Sequence, residues 1–267
     1  MKVMISKMSA VVFILATELN GRPALPVVDA LSSYGRDGAS GKTIRKENKQ
    51  SIISTVYLGG DDKEIKIFVP EKSSTQFSTN VESEMGPSNY SIGPSNFSLS
   101  QLIAHCPGLV DKRNVLELGS GLGMVSAVAC KYSRPNHVAI TDRDKSLLSL
   151  AYASCVQLQR SKASVSRCLM DWNKPSTWPQ QEYDMLLAAD VLYDEPSILP
   201  LVNVIQYYLC NEAKDGRRKQ AVIVDPVNQV NLHTFCDAAR RAGLNVDQKA
   251  FPGSPGLMLL NISPSGQ

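Results

Sequence analysis

From Asn114 onward the chain alternates short β-rich runs with helical ones. NVLEL (114–118) leads into an apolar helix over 122–131, and HVAITD (137–142) into a helix over 145–159 with apolar residues at helical spacing. Strands follow at 164–170 and 183–189, then a helix at 197–210 with Pro200 in its first turn. QAVIVD (220–225) precedes a helix over 230–242 capped by Gly243, and the last strands fall at 244–251 and 257–262. Such alternation predicts βαβ units and a parallel, doubly wound sheet. Ligands of such sheets bind over the carboxyl ends of the strands.

The first strand runs into Glu117-Leu118-Gly119-Ser120-Gly121-Leu122-Gly123. The dinucleotide fingerprint needs its third glycine one place later, where Met124 stands, and no Gly-Lys-Ser/Thr follows to make a P-loop. The spacing E-x-G-x-G-x-G is similar to the first motif of S-adenosylmethionine-dependent methyltransferases of the seven-strand class. That cofactor has no phosphate. Glycine backbone at Gly119, Ser120, Gly121 and Gly123 can pack beside its amino acid end, and Glu117 can orient or balance positive charge. Asp142, at the tip of the next strand, can hold both ribose hydroxyls. The plainer alternative is a Gly turn and a solvated acid; spacing, strand context and acid together favour the cofactor.

Asp171-Trp172 follows the strand 164–170 at the same edge, where a carboxylate can accept from an adenine amino group and an indole can pack on the ring. The bland alternative is a Trp covering a helix end. Ala189-Asp190-Val191-Leu192-Tyr193 ends the strand 183–189. An acid and an aromatic three apart can grip an amine by charge and by ring face; otherwise they are a solvated acid and a packing Tyr. Amine methylases usually carry Asp/Asn-Pro-Pro-Tyr/Phe here, and this chain has Val191 and Leu192 in place of the prolines.

On these motifs residues 114–262 resemble the seven-strand protein-lysine methyltransferases, the branch of the calmodulin, valosin-containing-protein, elongation-factor and electron-transfer-flavoprotein enzymes. Asp171-Trp172 with Ala-Asp-Val-Leu-Tyr is the more specific part, and CLMDWN (168–173) and residues 225–243 look most like the calmodulin-lysine enzyme. The resemblance implies a Rossmann-like seven-stranded sheet with helices on both sides and an N-terminal β-hairpin extension. It implies S-adenosylmethionine as cofactor, no metal, a protein lysine as acceptor, Asp190 and Tyr193 as catalytic residues, and Ala189 in the cofactor wall. Methylation of a small amine or another protein nitrogen, or a non-catalytic cofactor-binding homologue, are the alternatives. The family commonly has a Trp ahead of the catalytic domain; Gly93 stands there, and Tyr90 or Phe97 would have to rebuild that wall.

Upstream, 1–50 is expected to be a poorly structured arm or targeting segment, 51–105 a hairpin-and-loop extension, and 106–267 the methyltransferase domain. The extension pairs IISTVYL (52–58) with KEIKIFV (63–69) around Gly59-Gly60-Asp61-Asp62, then a long loop over 73–98 and a short helix over 99–105. The apolar run 8–16 is far short of a membrane span. It has the outline of a short secretory segment without a clear cleavage site, and a buried strand or a start placed too far upstream fits it equally. Of 267 residues 43% are hydrophobic and 20% charged, which excludes a disordered, collagen-like or small disulfide-rich chain. A net charge of +3 gives no case for nucleic acid or membrane as partner. The one compact basic run, Arg217-Arg218-Lys219, reads as a solvated loop. The six cysteines form no C-x-x-C pair, and most read as buried thiols of a reducing compartment. The expectation is a cytoplasmic monomer.

Overall fold

A computed structural model describes residues 42–48, 51–58, 63–70, 92–159, 161–211 and 218–265. The apolar run 8–16, the turn 59–62, Tyr90 and most of the loop 73–98 lie outside the described residues.

Seven strands form the main sheet: β4 (Asn114–Leu118), β5 (His137–Asp142), β6 (Ser164–Leu169), β7 (Met185–Ala189), β8 (Gln220–Pro226), β9 (Leu244–Ala250) and β10 (Leu257–Pro264). Their order is β6-β5-β4-β7-β8-β10-β9. The helices are α1 (Pro94–His105), α2 (Met124–Tyr132), α3 (Lys145–Ala153, continued by a π turn through Leu158), α4 (Ile198–Cys210) and α5 (Leu232–Arg241). The central strands are buried on both faces, as the unbroken apolar run MLLAA of β7 requires. Alternate residues feed two cores. Val115, Ile140, Leu187 and Val224 face the side of α1–α3, whereas Leu116, Ala139, Leu186 and Ile223 face α4 and α5.

The parallel expectation holds for β6, β5, β4, β7 and β8 only. β10 runs antiparallel to both β8 and β9. A tight turn joins the last two strands, with Phe251 N–H donating to Leu257 O, so β10 must return beside β9.

The N-terminal hairpin is present as β2 (Ser51–Tyr57) and β3 (Glu64–Pro70), paired antiparallel. It gains a third strand, β1 (Lys42–Asn48), within the segment read as an unstructured arm. Ile65, Ile67 and Val69 alternate inward from β3 and join the core of α1–α3. Polar ties fasten the same face: Gln101 donates to Leu58 O at 2.8 Å, Lys63 to Ala104 O at 2.7 Å and Tyr132 to Glu64 O at 2.6 Å.

Two further expectations change. Helix α1 starts at Pro94, not Leu99. Pro94 presets φ for a first turn, and the Ser- and Asn-rich residues after it look like a loop until tertiary burial of Ser95 and Ser98 decides otherwise. Only Cys130, Cys155 and Cys236 are buried, while Cys106 and Cys168 are partly exposed and Cys210 is exposed.

Candidate functional site

The loop from β4 to α2 is built on three glycines, all at positive φ, that do different things. A Cβ on Gly119 would lie 3.4 Å from both Trp172 Cζ2 and Val191 Cγ1. A Cβ on Gly123 would lie 2.4 Å from Ala151 Cβ, so this glycine lets α2 start against α3. Among the described residues, a Cβ on Gly121 would meet nothing within 4 Å. The open face of the loop is therefore at Gly121.

Backbone and side chains lock this shape. Ser120 N–H donates to Thr141 O at 2.9 Å and Gly123 N–H to Ser120 O at 2.7 Å. Asp142 takes Gly121 N–H on Oδ2 and Asp144 N–H on Oδ1, both at 2.8 Å, and each oxygen keeps a further lone pair. The Ser120 hydroxyl is buried and, among the described residues, has no hydrogen-bond partner.

Glu117 lies beneath the loop, buried, and accepts from Ser126 N–H at 3.2 Å and from the Ser126 hydroxyl. Burial pushes its carboxyl from the ordinary 4.5 up to about 8, against the opposing hydrogen bonds from Ser126. The folded chain thus keeps a proton on Glu117 that the unfolded chain releases near 4.5. Each pH unit between those values removes stability, at most about 1.4 kcal/mol per unit. Glu117→Gln should flatten the fall in stability between pH 5 and pH 8, measured by denaturant titration at each pH. An unchanged slope would mean that Glu117 is ionised in the fold.

Trp172 is half-buried over Gly119. The Asp171 carboxylate does not share that contact. Lys174 Nζ sits 2.9 Å from its Oδ2 and Asn173 N–H donates to its Oδ1 at 3.0 Å; first the Lys174 bond and then the Asn173 bond hold its pKa below the ordinary value.

At the end of β7, Ala189 is buried, and Asp190 after it turns into the left-handed region at φ 58. Asp190 N–H donates to Val224 O at 3.0 Å, and burial raises its carboxyl pKa. Among the described residues no donor reaches that carboxylate. Gly93, the cap of α1, lies against it: a Cβ there would be 3.1 Å from Asp190 Oδ2. Phe97 sits one turn into α1 and leans on the core. Val191 and Leu192, which replace the usual prolines, are buried. Tyr193 is 50% exposed. Leu199, Val227 and Val230 are exposed on the segments that follow β7 and β8, as are Glu195 and Asn228.

The structure thus brings three sequence motifs together at Gly119. The glycine loop touches Trp172 on one side and, through Val191, the Asp190 loop on the other. Asp225 escaped the sequence analysis: it is fully buried at the end of β8, with its carboxyl pushed up to about 7 mainly by burial. The available signal was an acid closing an otherwise apolar strand. Lys219 is a correction, because it is buried and donates to Tyr208 O at 3.2 Å; Arg218 is exposed and Arg217 lies outside the described residues.

Residues 98–219 match the family model described as "Lysine methyltransferase". The chain is 26% identical over 164 residues to "Protein-lysine N-methyltransferase EFM3" of Chaetomium thermophilum, covering 58% of this chain and 47% of that one. It is 28% identical over 164 residues to "Protein-lysine N-methyltransferase EEF2KMT" of Homo sapiens, covering 55% of this chain and 50% of that one. It therefore spans about half the length of the curated relatives it matches. Among solved structures it is similar to a putative methyltransferase, SMU.776, complexed with SAH, at TM-score 0.55 and 11% identity, covering 82% of this chain and 57% of that one. A methyltransferase from Pyrococcus furiosus matches at TM-score 0.50 and 16% identity, covering 62% and 82%. The resemblance to the protein-lysine methyltransferases stands, and the fold is that of the seven-strand methyltransferases.

Proposed function

We propose that the chain is an S-adenosylmethionine-dependent protein-lysine N-methyltransferase. The carrying observation is the convergence at Gly119, where a loop open at Gly121 meets an indole and an acid-bearing loop. The chain's residues fit the cofactor. Gly119, Ser120 and Gly121 offer backbone and an unpartnered hydroxyl to the amino acid end, and Asp142 has lone pairs left for a ribose diol. Trp172 offers a ring face to the adenine, with Asp171 beside it. Glu117 and Gly123 act from beneath, fixing where α2 begins. Ala189 is wall.

When bound, S-adenosylmethionine supplies an electrophilic methyl on a cationic sulfur. The chain's part is to present a neutral amine in line in a dry site. A free lysine amine has a pKa of about 10.4, and burial lowers it. Asp190 accepts a hydrogen bond from the incoming ammonium, aims its nitrogen and passes the released proton to water. Tyr193 packs on the aliphatic stem of the lysine.

The acceptor class comes from the printed activities of the relatives, and the half-exposed Tyr193 is open to a side chain reaching in from a macromolecule. A protein partner, rather than nucleic acid or a membrane surface, suits the net charge of +3. The six free thiols suit a reducing compartment, the cytoplasm, where we place a monomer. Among the described residues no helix is long and apolar enough to cross a membrane.

Transfer of labelled methyl into a cell extract, with Gly121→Arg as the cofactor-blind control, tests the proposal. Label recovered as methyl-lysine in one or a few proteins is expected. Label found only in small molecules would move the assignment to a small-amine methylase, and cofactor binding without any transfer would favour a non-catalytic homologue.

A further inference from the structure

We infer that Asp225 is a positioning residue for the acceptor site: its carboxylate anchors the loop that presents Asp190. The inference rests on the proposal that Asp190 faces the acceptor amine. β8 lies beside β7, and its backbone takes the first link, Asp190 N–H to Val224 O at 3.0 Å. The next two links go to the Asp225 side chain. Oδ2 accepts from Val191 N–H at 3.1 Å and Oδ1 from Leu192 N–H at 3.2 Å. Asn231, itself buried, closes the set by donating from Nδ2 to Leu192 O at 2.9 Å. Three successive N–H groups and one carbonyl are thus bound from the β8 side.

The arrangement has a reason in the backbone. Asp190 stands at φ 58, in the left-handed region that Asp and Asn enter more readily than other side chains but that still favours glycine, so its loop has to be held there. A buried carboxylate is itself costly unless hydrogen-bonded. Asp225 is fully buried with another acid close by, so a packed Val or Ile would suit the strand better on stability alone. Both carboxyl oxygens accept, so one side chain holds two adjacent N–H groups in a turned backbone. Without it Val191 and Leu192 would stay attached by packing, but the direction of the Asp190 side chain would no longer be fixed.

The test uses the full chain with Asp225→Ala and Asp225→Asn, read by amide exchange, cofactor titration and methyl transfer into extract protein well below each variant's melting temperature. For Asp225→Ala, exchange at Val191 and Leu192 should quicken tenfold or more, with the β4–β5 half of the sheet unchanged. Its maximal transfer rate should fall by about tenfold or more, with half-saturating S-adenosylmethionine unchanged, because a misaimed group costs turnover rather than binding. Asp225→Asn, which keeps one carbonyl acceptor, should fall between. If Asp225→Ala does not fold, Asn231→Ala removes the Leu192 O bond alone and should show the same pattern more weakly. Quicker exchange with an unaltered maximal rate overturns the inference, as does unaltered exchange. A wild-type chain that transfers no methyl defeats the functional proposal instead, and the exchange measurement still decides whether Asp225 holds the loop.

Discussion

Asp190→Asn should lower methyl transfer by about 10²- to 10⁴-fold, the range for removing a positioned proton-handling group. Cofactor affinity should stay within a few-fold. Asparagine is the informative substitution because it keeps the shape and, unlike most residues, tolerates φ near 58. What it removes is the charge. In the fold that carboxylate is largely buried, its pKa is raised by burial, and among the described residues it has no donor of its own. Such a group is poised to take a cation's hydrogen bond, since an incoming ammonium would give it the partner the fold withholds. Asp190→Ala would add backbone strain of about 1–2 kcal/mol and blur the result. Single-turnover transfer with cofactor pre-bound separates chemistry from binding. A loss below about tenfold would leave Asp190 a loop residue and require another group to orient the amine.

Gly93 bears on the same centre. A side chain here would press on Asp190 Oδ2, 3.1 Å from the first carbon. The departure noted in the sequence therefore falls beside the proposed acceptor acid.

The C-terminal sheet was legible because its signals are local. β4 and β5 match the bounds read from the sequence, since central strands buried on both faces read as near-continuous apolar runs. The glycine loop was legible as a loop, but the division of labour among Gly119, Gly121 and Gly123 was not. It depends on Trp172, Val191 and Ala151, brought in by three other segments. Helix α1 was misplaced at its start because Ser95, Asn96 and Ser98 carry loop propensities that packing overrides. Lys219 looked like part of a solvated basic run until Tyr208 O at the end of α4 gave it a buried partner. Asp225 was invisible as a site residue because its partners are backbone N–H groups of another strand's loop, which no residue pattern records.

That division of labour predicts opposite outcomes for two alanine substitutions in one loop. Gly123→Ala should destabilise the chain by about 2–4 kcal/mol, combining the left-handed penalty with overpacking. Its new Cβ would lie 2.4 Å from Ala151 Cβ and 2.8 Å from Ala151 Cα, and a backbone atom cannot swing aside as a side-chain tip can. The melting temperature should drop by about 5–15 °C. Gly121→Ala carries only the left-handed penalty, about 1–2 kcal/mol, because among the described residues nothing lies within 4 Å of the added carbon. Its effect falls on binding: the methyl group enters the open face assigned to the amino acid end of the cofactor, and affinity for S-adenosylmethionine should weaken tenfold or more. Melting curves and calorimetric titration of both variants read the two effects separately. If Gly121→Ala bound the cofactor as tightly as the wild type, the open face at Gly121 would not be the cofactor's seat. A Gly123→Ala melting curve matching the wild type would show that α2 can start further from α3 than its glycine allows it to.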